Sequence, residues 1–293
     1  MRQGITYNTV GRPGNAGAYG FRLAPARGAA DLPDLVAQPD EAPVVEIEWW
    51  EGQAQDDAFE VAAGRYVMSN RGAVSLNVTQ GEPSSIRLGL PMPITPAAIV
   101  HPLLTFPLAL LAHWRGCATL HAGAFELDGR AWAVAGEREA GKSALLALLG
   151  RRGIPIVADD LVVVDGDRIL SGPNCVDLRP DAADRLGGTR SLGIVGDRHR
   201  HRLTTPVAPA AVALGGFCVL EWSDTISFTE LALEERLALV HGQHYATAVG
   251  PPHPQLVFDL LELPMWRFCR PRDWSSADTA LDHLLGSLSD HAS

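Results

Sequence analysis

GEREAGKS, residues 136–143, holds the only lysine in the chain, Lys142, against 23 arginines. The stretch matches G-x-x-x-x-G-K-[ST]. Its glycines let the backbone curl so that successive N–H groups point inward at phosphate oxygens. On this reading Gly136, Glu137, Arg138, Glu139, Ala140, Gly141, Lys142, Ser143 and Ala144 form a nucleotide-binding loop. Lys142 reaches the β- and γ-phosphates of ATP, and Ser143 offers its hydroxyl to Mg2+. A compact ammonium on a flexible stem suits a phosphate wrapped by backbone. A guanidinium is bulkier and fixed in fork geometry, so even an arginine-biased chain keeps a lysine here. Glu137 and Glu139 suit such a loop only with their side chains turned outward.

The flanks supply the context that the loop requires. RAWAVAGE before it reads as a buried strand, and SALLALLGRRG after it as a short helix with Arg151 and Arg152 in its last turn and Gly153 as its cap. IPIVADDLVVVD reads as another strand, as does CATLHAGAFEL upstream, which leads into a turn at Asp128-Gly129. Strand, glycine loop, helix, strand predicts an α/β unit around a mostly buried sheet. Downstream, VALGGFCVLEW and LPMWRFCRP read as strands, and EERLALVHGQHY, PQLVFDLLEL and a last segment from Ser275 or Ser276 as helices. Residues 1–92 read as a β-rich region (EAPVVEIEWW, FEVAAGRYVMSN, GAVSLNVTQG, SSIRLGL), and 93–293 as the domain that carries the loop. Residues 171–210, rich in Gly, Arg and Pro, read as the least regular part, a loop.

Composition narrows the function classes. The chain has 293 residues and a formal net charge of −10, which repels a phosphate backbone and excludes general nucleic-acid binding. Cys117, Cys175, Cys218 and Cys269 show no metal-site spacing and read as reduced thiols. The opening residues lack an apolar signal segment, so the expected location is cytoplasmic. Residues 94–114 carry no formal charge over 21 positions, long enough to span a bilayer. Pro96, Pro102 and Pro107 interrupt them, so a bent core helix and no membrane contact are expected.

Asp159 and Asp160 stand together in VADDLVVVD, inside or at the end of a strand. Strand neighbours point to opposite faces, so one carboxylate can face Mg2+ and the phosphates while the other takes a proton from an acceptor hydroxyl. His121, in TLHAG, reads by itself as a structural histidine. His241 and His244 have ligand-compatible spacing on a helix but no third partner, and Trp49, Trp50 and Trp222 read as packing.

The run LHAGAFELDGRAWAVAGEREAGKSALLALLGRRGIPIVADDLVVV resembles the HPr kinase/phosphorylase family in its order of histidine, loop and V-A-D-D strand. It is most similar to the shorter HPr-kinase-like serine kinases of bacterial peptide-tailoring clusters, including those acting on lasso-peptide precursors. AYGFRLAPARGAADLPDL, HWRGCATLHAG, RSLGI and LPMWRFCRPRD carry that similarity over most of the chain. The resemblance implies a P-loop kinase core of the HPr kinase/phosphoenolpyruvate carboxykinase type, with the β-rich region before it. It implies Asp160 as general base toward an acceptor serine, His121 as its active-site partner and Asp159 near the metal. It admits a homo-oligomer. Two positions depart from the family pattern: Glu139 stands where a glycine is usual, and Gly188 stands where a metal-binding glutamate precedes an R-G-L-G-like stretch, here Arg190, Leu192, Gly193 and Ile194. Arg190, Arg200 and Arg202 are then phosphate or substrate contacts, or else GDRHRHR is a solvated loop.

The expected function is transfer of the γ-phosphate of ATP, with Mg2+, to a serine of a peptide or small protein, with Asp160, His121 and Lys142 as catalytic residues. The alternatives are a small-molecule kinase on the same scaffold, and a nucleotide-dependent ATPase or binding module without an acceptor.

Overall fold

Alternation decides the first sheet. In the strand Val44–Glu51, Val45 and Ile47 are buried and Glu46 is exposed, the period of a strand with one wet face. Ile47 lies opposite Ile86, Ile86 opposite Val78, and Val78 opposite Tyr66, so one apolar row crosses four strands. The computed structural model describes residues 14–26, 31–195 and 198–291. The N-terminal stretch up to residue 13, residues 27–30 of AYGFRLAPARGAADLPDL, and Gly196 and Asp197 of GDRHRHR lie outside the described residues.

The described residues form a mixed α/β structure with three sheets. The first has eight strands in the order Val36–Ala37, Ala16–Ala18, Phe21–Pro25, Val44–Glu51, Ser84–Leu90, Ser75–Thr79, Arg65–Ser69, Ala58–Ala62. Its buried side chains, Tyr19, Ile47 and Ile86 among them, belong to the same core as Leu108 and Val162.

The second sheet positions the site. Arg130–Ala135 pairs in parallel with Ala211–Trp222, which pairs in parallel with Met265–Arg270. Ile156–Ala158 is antiparallel to Gly123–Leu127, which is antiparallel to Arg130–Ala135, so it runs with the parallel set. The helix Lys142–Arg151 makes the crossover. Four strands therefore end on the same edge of the sheet, and the segments that leave them meet there, which is where open α/β sheets bind ligands.

Some sequence expectations need correction. CATLHAGAFEL is two strands, Ala118–Leu120 and Gly123–Leu127, with the break at His121. IPIVADDLVVVD is also two, Ile156–Ala158 and Val162–Asp165, parted at the Asp pair. Residues 171–210 are not a loop. They contain a three-stranded sheet ordered Cys175–Leu178, Arg198–Thr204, Arg190–Val195, and the helix Pro180–Leu186. Turn-rich composition hid it, because Arg and His alternate where an apolar pattern would normally mark a strand. The 94–114 stretch is a pair of helical segments bent by 49°, Pro96–Leu103 and Thr105–Trp114. Among the described residues no single helix is long and apolar enough to cross a membrane, although the bent pair passes by length and composition. Leu104, Leu108 and Leu110 of that pair are buried in the core.

Candidate functional site

The 136–143 loop connects the strand Arg130–Ala135 to the helix Lys142–Arg151. Gly141 has φ +85°, and a Cβ there would stand 2.8 Å from Arg270 Nη2 and 3.0 Å from the Trp222 ring. Only glycine meets both demands. Lys142 Nζ folds back and donates to the carbonyls of Gly136 (2.8 Å) and Glu137 (3.3 Å). Burial holds the ammonium below its ordinary pKa, against the pull of Asp160 and Asp159. The first N–H groups of the following helix have no partner within it and are available to an anion.

Three side chains brace the loop, and all three line the cleft it borders. Trp222 Nε1 donates to the Glu139 carbonyl (3.1 Å), and Arg270 Nη2 to the Ala140 carbonyl (2.6 Å). Arg179 Nη1 pairs with the Glu139 carboxylate at 2.8 Å. Glu139 has φ +69°, a conformation where a glycine is unstrained. Its side chain is exposed, and Arg179 draws its pKa down. The Arg270 guanidinium also lies 4.1 Å from the Trp222 ring centroid, a contact of about 1 kcal/mol. Its own pKa is lowered by burial to about 10. Trp222 was read as packing in the sequence. Its position at the end of a strand running parallel to the loop's own strand is what brings it here.

The Asp pair follows the strand Ile156–Ala158. Asp159 is buried: its Oδ1 accepts from Ser143 Oγ (3.0 Å) and its Oδ2 from the Asp177 amide (3.1 Å). Burial raises its pKa to about 6, against the pull of His101, with Asp160 adding to the rise. Asp160 has φ +70°, and its carboxylate has a different partner. Its Oδ1 is 3.3 Å from His121 Nδ1, and the same ring nitrogen is 3.1 Å from the Asp160 carbonyl. Tyr245 bonds Asp160 as well, and burial raises the phenol pKa well above its ordinary value. Asp160 and His121 are part-exposed.

These groups line one cleft of about 670 Å3. His121, Asp159, Asp160 and the loop line it together with the largely apolar Leu148, Ala182, Trp274, Ala277 and Ala280. Arg270 also lines it, and its Nη1 is buried with no hydrogen-bond partner. A buried guanidinium N–H in that state suits an anionic ligand. For Mg2+, the hydroxyl of Ser143 beside the carboxylate of Asp159 is hard oxygen chemistry. Among the described residues no cluster of three His, Cys, Asp or Glu could hold a metal alone. That accords with a cation shared with phosphates, which needs only one or two protein carboxylates.

The cleft gathers Gly136–Ala144, His121, Asp159 and Asp160, and not the three arginines. Arg190 is exposed, 3.6 Å from Asp34. Arg200 Nε donates to the Val195 carbonyl at 3.4 Å and acts by charge on Tyr245. Arg202 is buried, with all its donors engaged inside the protein. The residue that sequence reading missed is Asp177. Gly188 was the place compared with a metal-binding acid, but the carboxylate beside Asp159 stands in V-D-L-R, two residues before Arg179, and lines the cleft. An acid inside a short, otherwise apolar strand was the signal.

No family model matches the chain, and no curated protein does. Among solved structures, it is similar to one titled the HPr(Ser) kinase/phosphatase from Coxiella burnetii, at 12% identity over 60% of this chain and 99% of that one, with a TM-score of 0.31.

Proposed function

We propose that the cleft binds Mg-ATP and transfers the γ-phosphate to a serine hydroxyl of a peptide or small protein, on a kinase core of the HPr kinase type. The observation that carries this reading is the convergence of Lys142, Ser143, Asp159 and Asp160 in one cleft, with the two carboxylates on different partners. The loop amides and Lys142 hold the β- and γ-phosphates, and Lys142 exchanges its two carbonyl contacts for phosphate oxygens. Ser143 and Asp159 would hold the cation, which, when bound, neutralises charge on the phosphate oxygens. The apolar part of the cleft, with Trp274, takes the nucleobase.

Asp160 faces the open side. It accepts the proton of the attacking hydroxyl as the oxygen approaches phosphorus, and His121 and Tyr245 fix its orientation. Lys142 stabilises the charge shifting toward the leaving ADP. The residues 1–92 region and the 93–293 region divide the labour in this reading: the second carries the chemistry, and the first supports its back.

Calorimetric titration with ATP in Mg2+ tests the nucleotide site. The wild-type protein binds, and Lys142→Ala binds at least tenfold more weakly while melting at an unchanged temperature. Equal binding by both proteins contradicts the site.

A further inference from the structure

Arg202 was a candidate substrate contact, yet its side chain is buried within the protein. All five of its N–H donors are used. Nε and Nη2 grip the Asp177 carboxylate as a fork (2.8 and 3.1 Å), Nη1 reaches Asp34 Oδ2 (3.1 Å), and Nη1 and Nη2 cap the carbonyls of Ala97 (2.7 Å) and His101 (2.6 Å). Asp177 in turn donates its amide to Asp159 Oδ2, and Asp159 Oδ1 takes the Ser143 hydroxyl. One unbroken line of contacts therefore runs from Asp34, beside the first sheet, to the loop serine. His101 Nε2 sits 3.9 Å from Asp159 and 4.0 Å from Asp177 within it.

We propose that Arg202 is a positioning residue for the cation site: by holding Asp177 in a fork it fixes the amide that aims Asp159 at Ser143, and Asp34 completes its grip. This rests on the reading of the cleft as an Mg-nucleotide site. The physical case is one of charge and geometry. Two carboxylates lie side by side in a buried place, which is tolerable only with a fixed cation near one of them. The guanidinium supplies that charge through its fork on Asp177, so neither oxygen of Asp159 is spent on it. A fork fixes the plane of Asp177, whereas a lysine gives a point charge without that restraint. Asp34 makes the arrangement sensitive to the packing of the N-terminal sheet. Such supporting contacts set ligand geometry and are worth more to metal affinity than their distance suggests.

The test compares ATP affinity of the full-length protein in Mg2+ with that in EDTA, for the wild type, Arg202→Lys and Asp34→Asn. The ratio of the two affinities reads the cation site alone. Asp34 has φ +59°, which asparagine adopts readily, so that variant keeps its backbone. Arg202→Lys is expected to lower the ratio by about tenfold with ATP affinity in EDTA unchanged, the scale of supporting-contact losses at metal sites. Asp34→Asn lowers it in the same direction by less. Asp282→Asn, which breaks an ion pair to Arg152 elsewhere on the surface, serves as control and leaves the ratio alone. An unchanged ratio in both variants, with only the melting temperature lowered, overturns the proposal. If Arg202→Lys does not fold, Asp34→Asn decides by the same criterion. A wild-type protein that binds no ATP overturns the nucleotide reading, and this proposal with it.

Discussion

Ser143 Oγ donates to Asp159 Oδ1 across 3.0 Å, joining the first turn of the loop's helix to the end of a strand two places along the sheet. The burial of Asp159 sets the pH behaviour of the site. Burial raises Asp159 from 3.8 to about 6, and a cation binds only its ionised form. The Mg2+-dependent part of ATP affinity is therefore expected to fall as pH drops through 6 and to level off above 7. Titration calorimetry from pH 5 to 8 in Mg2+ and in EDTA reads it. The sign for folding is opposite. With its pKa raised, Asp159 binds its proton more tightly when folded, so its stabilising contribution is present below 3.8 and is lost as pH rises through about 6.

Lys142→Arg is expected to fail like Lys142→Ala. The ammonium sits in a space bounded by the carbonyls of Gly136 and Glu137, and a planar fork cannot take its place. ATP affinity measured by calorimetry falls at least tenfold, and tripolyphosphate affinity falls with it.

Glu139→Gly is expected to leave ATP affinity unchanged. Glycine takes the positive φ at this position without strain, and the Trp222 bond to its carbonyl survives the change. The Arg179 pair is lost, but it lies at the surface and is worth little. Calorimetry and a thermal melt check both points.

Trp274→Ala is expected to weaken ATP by about 1–3 kcal/mol, the value of one base stacked on an aromatic ring, and to leave tripolyphosphate unchanged. The pairing of ligands isolates the nucleobase contact, because the two share the phosphates and differ in the nucleoside. Equal losses for both would place Trp274 outside the nucleobase end.

Local signals made the loop and its helix legible, since glycine spacing and an apolar helix face are both read within eighteen residues. The Asp pair was visible for the same reason. What the sequence concealed depends on distant strands. Trp222 and Arg270 lie 81 and 129 positions beyond Gly141, and only the parallel pairing of their strands brings them to it. Asp177 and Arg202 were obscured by a segment whose polar alternation resembled a loop, although it forms strands. The strands that resume beyond His121 and Asp160 were not separated from those before them, because each break falls inside an apolar run that continues on both sides.

Phosphoryl transfer with Asp160 as base is read most directly from its product. The most direct measurement mixes the purified protein with γ-labelled Mg-ATP, lysate of its host and peptides encoded beside its gene, with Asp160→Asn in parallel. The account predicts a labelled peptide or protein with wild type and a loss of label by about 10²–10⁴-fold with Asp160→Asn, while ATP binding by the variant persists. Label on a small molecule would move the acceptor class and leave the base assignment standing. Label transferred equally well by Asp160→Asn, or ATP hydrolysed with no acceptor labelled, would contradict the account.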